Sequence, residues 1–354
     1  MSYADGWAAL NLEMPERIPR TEYSAHSHWK LVRAVTGFDV GVESSSEMKA
    51  QASRAFVGPE GWDYDLMWST LIGRNEFGDQ RTSMGHAVYA AGGVDYDDNT
   101  FSAFSSPEEV LAFDPVDRLV SVPKNELIGR FESHYKKNAV DHPDLVSMTG
   151  VYVTCISGMI DLFGWDMLLM AAGADSAGLG DVLRRYGDWI HPYFEALADS
   201  DVPVVMVHDD IVWTAGPFIQ PDWYRQYVFP NYCRHLAPLI EAGKRILFTS
   251  DGDYSCFVDD IVQAGVTGFA MEPMTDMASV AERYGQTHTI IGNADTRVLL
   301  SGEKEDIRRE VERCVAIGRN CPGFMLAVGN HIPPNTPVDS ALYYNDVYDE
   351  LSRR

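Results

Sequence analysis

The sequence predicts an α/β fold, a (β/α)8 barrel with inserted loops in its N-terminal half. Short apolar strands and amphipathic helices alternate from about residue 140 to the end of the 354-residue chain. The run at 202–207 is apolar throughout, which is typical of a parallel strand buried on both faces. So many successive strand–helix units favour a closed barrel, and a doubly wound open sheet is the alternative.

The predicted elements follow one another in the order that such a barrel needs. Strands are predicted at 18–23, 64–68, 144–153, 202–207, 245–249, 266–271, 288–291 and 324–328. Helices are predicted at 157–172, 181–198, 223–242, 255–264, 277–284, 304–317 and 336–351, and the glycines of 173–180 indicate a linker between two of them. Because no Pro/Ser/Gly-rich segment divides the chain, residues 1–354 are expected to form one domain, with 1–17 as an N-terminal extension.

Composition excludes several classes of function. The formal net charge of −24 disfavours binding to nucleic acid or to anionic membranes. No apolar run approaches the roughly 18 residues of a membrane span, and the N-terminus does not resemble a signal peptide. The five cysteines form no CxxC pair, so reduced thiols and a cytoplasmic location are expected.

Polar side chains at the predicted strand ends are the first candidates for chemistry, because parallel barrel strands all end on one face. They are Glu22, Tyr23, His26, His28, Asp65, His208, Asp209, Asp210, Asp251, Glu272, Asn293, Asp295, Asn330 and His331. Clustered carboxylates and imidazoles can act as general acids or bases, and they can also bind a metal.

Each candidate also has a purely structural interpretation. Asp251 with Gly252 could form only a turn, although a functional role is favoured for Asp251. Asn293 or Asp295 is interpreted as a cap of the next helix, and Glu272 is left open. At least one of Asp209 and Asp210 is expected to point into the barrel mouth. Nucleotide-binding loops, HExxH and GxSxG do not occur.

Several ordered segments resemble the uroporphyrinogen decarboxylase superfamily. They are PERIPRTEYS (15–24), VHDDIVWTAGPFIQPDWYRQYVFPNY (207–232), FTSDGDY (248–254), IIGNADTRVLL (290–300) and LAVGNHIPPNTPVDSALYY (326–344). The resemblance spans nearly the whole chain and implies the same barrel fold.

Two departures distinguish the chain from true decarboxylases of that superfamily. Those enzymes carry an arginine-rich RQAGR segment at the first strand, and guanidinium groups suit a substrate with many carboxylates. The corresponding segment here, 20–29, reads RTEYSAHSHW and holds one arginine. The family's GHG near the last strand is replaced by Gly329-Asn330-His331. Both departures argue against porphyrinogen decarboxylation.

The resemblance implies instead a corrinoid-dependent methyltransferase. The zinc-binding HxC pair and later cysteine of relatives that methylate coenzyme M align with Thr249, Asp251 and about Asn330, so a thiolate zinc site is not expected. Other relatives demethylate aryl methyl ethers or methylamines, and the chain is expected to pass such a methyl group to a corrinoid (cobalamin) protein. A homodimer is left open.

The expected roles divide the candidates into three sets. The catalytic residues are expected to be Asp251, Asp210, Asp209 and His331; the substrate-binding residues are Asn330, His26, His28, Glu22, Tyr23, Asp65 and His208; and the metal candidates, should zinc bind, are Asp251, Glu272 and His208. A cofactor-free decarboxylase and a non-catalytic binding barrel are the alternative functions.

Overall fold

The computed structural model describes residues 2–82 and 102–354, together with the backbone of two short strands between them. The strands are β1 (Leu66–Met67), β2 (Val88–Tyr89), β3 (Asp95–Tyr96), β4 (Val146–Ser147), β5 (Thr149–Val151), β6 (Val204–His208), β7 (Arg245–Ser250), β8 (Gly268–Met271), β9 (Thr289–Gly292) and β10 (Phe324–Met325). The helices of the N-terminal half are α1 (Ser2–Leu10), α2 (Trp29–Thr36), α3 (Ser46–Val57), α4 (Pro107–Leu111), α5 (Pro115–Arg118), α6 (Lys124–Asp141) and α7 (Ile156–Ala174). Those that follow are α8 (Ser176–Asp199), α9 (Pro221–Tyr227), α10 (Phe229–Glu241), α11 (Val258–Ala264), α12 (Met277–Tyr284), α13 (Thr296–Ser301), α14 (Lys304–Gly318) and α15 (Val338–Leu351).

The parallel strands close into a ring. Strands β5 to β10 form one parallel sheet in chain order, and β1 pairs in parallel with β4, which continues into β5. The segment 19–21 fills the remaining gap. The Thr21 N–H donates to the Leu326 carbonyl at 3.1 Å, and the Asp65 N–H donates to the Arg20 carbonyl at 2.9 Å. These bonds join β10 to β1, so the ring has eight strand positions and the predicted (β/α)8 barrel is confirmed.

Successive side chains along each strand point alternately into the barrel and out toward the helices, and this divides the core into two parts. On β6, Val204 and Met206 belong to a cluster inside the barrel, whereas Val205 and Val207 pack outward against the helices. This period of two is the geometry of a strand buried on both faces. The residues of the interior cluster that lie on the strands or within two residues of them are Leu66, Val146, Met148, Val204, Met206, Leu247, Ala270, Ile291, Met325 and Ala327.

Helix α1 lies at the N-terminal end of the barrel, within the segment 1–17 that was expected to be an extension. Its residues Ala9 and Leu10 are buried in the interior cluster. Asp65 immediately precedes β1, and a Cβ on Gly6 would lie 2.3 Å from the Asp65 carbonyl oxygen, so the helix and the strand are in close contact. This helix therefore covers the end of the barrel opposite to the strand carboxyl ends.

The inserted loops predicted for the N-terminal half lie between β1 and β4. This insertion holds the antiparallel pair β2–β3 and the helices α4 to α6. Part of it, 83–101, falls outside the described residues apart from the backbone of the two strands.

One predicted connection is wrong. The segment 173–180 is not a linker, because α7 extends to Ala174 and α8 begins at Ser176. A single residue, Asp175, separates the two helices, and its carboxylate caps α8 by accepting the Gly178 N–H at 2.8 Å.

Within the described residues, α7 is the one helix whose length and apolar composition would suffice to cross a bilayer. Of its most apolar window, 56% is buried inside the fold, as expected of a core helix.

Candidate active site

A cavity of about 520 Å³, including its open mouth, lies at the carboxyl ends of the barrel strands. Every strand position contributes to its lining: Tyr23, Trp68, Tyr152, His208, Thr249, Asp251, Ala270, Met271, Ile291, Ala327, Val328, Gly329, Asn330 and His331. Tyr23, His208, Asp251, Asn330 and His331 were predicted from sequence. Their convergence follows from the parallel direction of the strands.

His208, which is buried and lines the cavity, forms an ion pair with Asp210, which is partly exposed and does not line the cavity. The His208 Nδ1–H donates to the Tyr152 carbonyl at 2.8 Å, and Nε2 lies 3.2 Å from Asp210 Oδ1. Burial opposes the charge on His208, but the attraction of Asp210 outweighs it and raises the pKa of His208 to about 9. The same attraction outweighs burial at Asp210 and lowers the pKa of its carboxyl. At neutral pH the pair is therefore an imidazolium next to a carboxylate.

An NMR titration is expected to give the His208 imidazole a pKa of about 9. Because this pKa lies above the unfolded value of about 6.5, the ion pair stabilises the fold fully below pH 6.5. That contribution is lost as the pH rises through 9. The unfolding free energy of the wild type should therefore exceed that of His208→Asn below pH 6.5, and this difference should disappear as the pH rises through 9.

The matched control is His288→Asn. Burial lowers the pKa of His288, so this side chain is neutral in both states above pH 6.5 and its contribution should stay flat. A His208 resonance that titrates near pH 6.5 would contradict the ion pair.

Asp251 lies on a short bend directly after β7. Its side chain is exposed at the cavity, and its N–H donates to Asp210 Oδ1 at 3.0 Å. Gly252 follows with φ of +78°, and a Cβ there would lie 2.3 Å from the Trp213 carbonyl oxygen. Glycine is therefore required for the bend that directs Asp251 into the cavity.

Glu272 connects the two loops that carry polar cavity residues. One carboxylate oxygen accepts the Gly252 N–H at 2.6 Å, and the other accepts the Asn330 side-chain N–H at 2.5 Å. Asn330 in turn accepts the His331 N–H at 2.7 Å. Glu272 thus positions Asp251, Asn330 and His331, although it does not line the cavity itself.

Aromatic side chains form much of the remaining wall. The Tyr23 ring meets the His331 ring edge-on at 4.6 Å between centroids and lies 6.1 Å from Trp68. Tyr152 stacks on His208 at 3.6 Å. Burial and the charges of Asp251 and Asp210 raise the pKa of Tyr23 to about 12, so its phenol is neutral at physiological pH. The same causes raise the pKa of Tyr152.

The structure places Asp209 outside the cavity, which corrects its expected catalytic role. Its side chain is fully buried and accepts the N–H groups of Cys155 and Ser157 at 3.2 and 2.6 Å, at the start of α7. It also accepts the Tyr232 hydroxyl. Burial raises the pKa of Asp209 to about 6 against these hydrogen bonds. Asp209 therefore caps a helix.

Glu22 and Asp65 also lie away from the cavity, contrary to their expected roles in substrate binding. Glu22 is buried, accepts the Val328 N–H at 2.9 Å and lies 3.2 Å from the Arg20 guanidinium. Asp65 precedes β1 and is therefore at the opposite end of the barrel, where it accepts Arg17 at 2.7 Å. Burial raises the pKa of Asp65 to about 7.

Neither His26 nor His28 lines the cavity, so the expectation that they bind substrate is also corrected. His28 caps α2, where its Nδ1 accepts the Leu31 N–H at 3.1 Å. Burial lowers the pKa of His26 to about 4, and this imidazole is neutral.

The prediction that Asn293 or Asp295 caps the next helix is confirmed. Asp295 caps α13, as predicted from sequence. Asn293 instead donates its side-chain N–H to the Glu272 carbonyl at 3.1 Å and helps to hold that segment.

Comparison with known proteins places the chain in a family. A model of the uroporphyrinogen decarboxylase (URO-D) family matches residues 106–350. The chain belongs to this family.

Individual relatives match over a shorter stretch. The uroporphyrinogen decarboxylase of Syntrophotalea carbinolica is 27% identical over 161 residues, which cover 46% of this chain and 45% of the relative. The uroporphyrinogen decarboxylase of one Thermus thermophilus strain is 28% identical over 160 residues, 45% of each chain. The chain thus spans about half the length of these curated relatives. A methyltransferase from Methanosarcina mazei has the same fold, with a TM-score of 0.62 over 98% of both chains and 15% identity.

The residues that the structure describes in this URO-D barrel do not fit a zinc ion. Among the described residues, no three His, Cys, Asp or Glu side chains are grouped so that they could hold a metal ion. Of the three expected metal candidates, His208 is engaged through both ring nitrogens. Both carboxylate oxygens of Glu272 accept hydrogen bonds as well.

Sequence reasoning missed three polar or aromatic lining residues of this URO-D site: Trp68, Tyr152 and Thr249. Trp68 closes the strand predicted at 64–68, and Tyr152 lies near the end of the strand predicted at 144–153. Aromatic residues at strand ends were thus a usable signal, and restricting the search to carboxylates and imidazoles overlooked it.

Proposed function

We propose that this chain transfers a methyl group from a small methylated donor to a corrinoid protein. The donor would bind in the cavity at the strand carboxyl ends, and the corrinoid protein would dock over its mouth. An aryl methyl ether is one such donor and a methylated amine is another. The methyl transfer would take place in the cytoplasm. All five cysteines lie within the described residues, and each is a free thiol.

The observation that carries this proposal is the composition of the cavity wall. Among the described residues, the lining contains no arginine or lysine, whereas it includes the carboxylate of Asp251. Recognition of a substrate with many carboxylates needs several guanidinium groups. Arg20, the one arginine of the segment 20–29, is fully buried against Glu22 and does not line the cavity. The wall therefore favours a small neutral or cationic donor over a porphyrinogen.

The protein residues would bind and orient the donor. When docked, the corrinoid would supply a cobalt(I) nucleophile for the methyl carbon. Tyr23, Trp68 and Tyr152 would present aromatic surface to the donor, and Asn330, held in place by Glu272, would offer it the remaining N–H of its amide. Orientation of the donor is the main contribution that such a site can make to an in-line transfer.

The experiment is an anaerobic assay with free cob(I)alamin in place of the corrinoid protein. The absorption of cob(I)alamin is followed while methoxylated aromatics and methylated amines are added one at a time. Loss of the cob(I)alamin band with at least one donor, dependent on the protein, is the expected result.

The names of the relatives favour a decarboxylase as the second candidate function. Release of carbon dioxide from uroporphyrinogen, together with no methyl transfer from any donor in the panel, would replace the proposal with this alternative.

A further inference from the structure

Two carboxylates, those of Asp210 and Asp251, lie beside or in the cavity. His208 is cationic, but Asp210 neutralises it at 3.2 Å. Asp251 adds a second carboxylate at the mouth, close enough to Asp210 for its own N–H to bond to that carboxylate. Both carboxylates act on the same side chain, since each raises the pKa of Tyr23. A positively charged ligand would meet attraction from Asp251.

The rings on the wall suit the same kind of ligand. Tyr23, Trp68 and Tyr152 line the cavity together, and the Tyr23 and Trp68 rings are 6.1 Å apart at a tilt of 53°. Aromatic faces attract methylated ammonium groups through their quadrupoles, most strongly where water is excluded. The wall already holds one cation in this way, because the His208 imidazolium stacks on Tyr152.

The leaving group gives a third and independent argument. An aryl methyl ether leaves as a phenolate, which needs a proton donor within hydrogen-bond reach. Both N–H groups of His208 are engaged by Tyr152 and Asp210, and the phenol of Tyr23 is a weak acid, so among the described lining residues His331 would have to supply that proton. A methyl group on a charged nitrogen or sulfur departs differently. The carbon–heteroatom bond breaks, the electron pair stays on the heteroatom, and a neutral amine or thioether leaves without a proton.

We infer that the methyl donor of this site is an onium compound, a small molecule with methyl groups on a positively charged nitrogen or sulfur, held by Tyr23, Trp68, Tyr152 and Asp251. The inference rests on the proposed function for the identity of the reaction, and it adds the chemical class of the donor.

The test compares a cation with a neutral molecule of the same shape. Isothermal titration calorimetry of the full chain is carried out with choline and with 3,3-dimethyl-1-butanol, in which carbon replaces the charged nitrogen. Choline is expected to bind about tenfold or more tightly, the order that one cation–π contact supplies. Tetramethylammonium and trimethylsulfonium, run in parallel, decide between nitrogen and sulfur.

Two variants connect this preference to the cavity. Asp251→Asn should reduce the preference for choline over its neutral isostere, and Trp68→Leu should do the same without any change in charge. Asp253→Asn, which removes an equal charge two residues along the same loop, should leave the preference intact. Asp253 does not line the cavity, and its carboxylate accepts the Ser255 N–H at 3.0 Å, a bond that asparagine can also make.

The outcomes separate the two proposals. Equal binding of choline and 3,3-dimethyl-1-butanol, or a preference that survives in both cavity variants, would overturn the onium inference. Methyl transfer from a neutral aryl ether in that case would leave the proposed function standing. Selective onium binding without transfer of any methyl group to cob(I)alamin would instead retain the ligand class and refute the methyltransferase.

Discussion

Substitution of Asp251 by asparagine is expected to lower kcat/KM for methyl transfer roughly 100-fold, the usual loss when one preorganised electrostatic contact is removed. The side chain is exposed at the cavity and carries little packing, so the unfolding free energy should change by less than about 0.5 kcal/mol. The measurement is steady-state kinetics with the donor that the cob(I)alamin assay identifies. A change mainly in KM would show that Asp251 contributes to binding of the donor. A change mainly in kcat would show that it stabilises the transition state.

The control is again Asp253→Asn, which makes the same change in net charge on the same loop. It should retain wild-type kinetics. Wild-type turnover by Asp251→Asn would show that the reacting centre lies elsewhere on the barrel.

The Arg20→Met variant is expected to lose roughly 3–5 kcal/mol of unfolding free energy, because it leaves the Glu22 carboxylate buried without its partner. Arg20 is fully buried and lies 3.2 Å from Glu22. Its guanidinium also stacks 4.5 Å from the ring centroids of Trp62 and Tyr348. Urea denaturation followed by circular dichroism provides the measurement.

Two further variants test the cause of this loss. Arg33→Met removes an exposed arginine that lies 3.7 Å from Asp39, and it should cost less than about 1 kcal/mol. The double variant Arg20→Met/Glu22→Gln should recover part of the loss, since the buried charge is gone. A double variant less stable than Arg20→Met alone would show that packing, and not the ion pair, explains the effect.

The position of the site could be predicted because parallel strands carry their ends to one face. Asp251, Asn330 and His331 follow two strands that are far apart in sequence, yet they line one cavity. The apolar run 202–207 located the end of β6 at His208 to within one residue, without any knowledge of packing.

The direction of individual side chains could not be predicted. Asp209 and Asp210 are neighbours, and one caps α7 while the other pairs with His208. Glu22 and Tyr23 diverge in the same way, the first toward Arg20 and the second into the cavity. Because successive residues of an extended chain face opposite sides, an error of one residue in register exchanges the two roles.

Asp65 shows how strand boundaries limit such predictions. The strand predicted at 64–68 places it inside the element, whereas β1 begins at Leu66 and Asp65 lies before it. The residue is therefore at the N-terminal end of the barrel, paired with Arg17 from the first segment. That partner is distant in sequence, and no local pattern indicates the contact.

The most direct test of the proposed site is a crystal structure of the protein with a methyl donor that the protein turns over. We expect the donor to lie inside the cavity, with its methyl carbon toward the open mouth and Asp251, Tyr23 and Tyr152 in contact with it. A donor bound on another face, or a barrel in which Asp251, Asn330 and His331 do not share one cavity, would contradict this result.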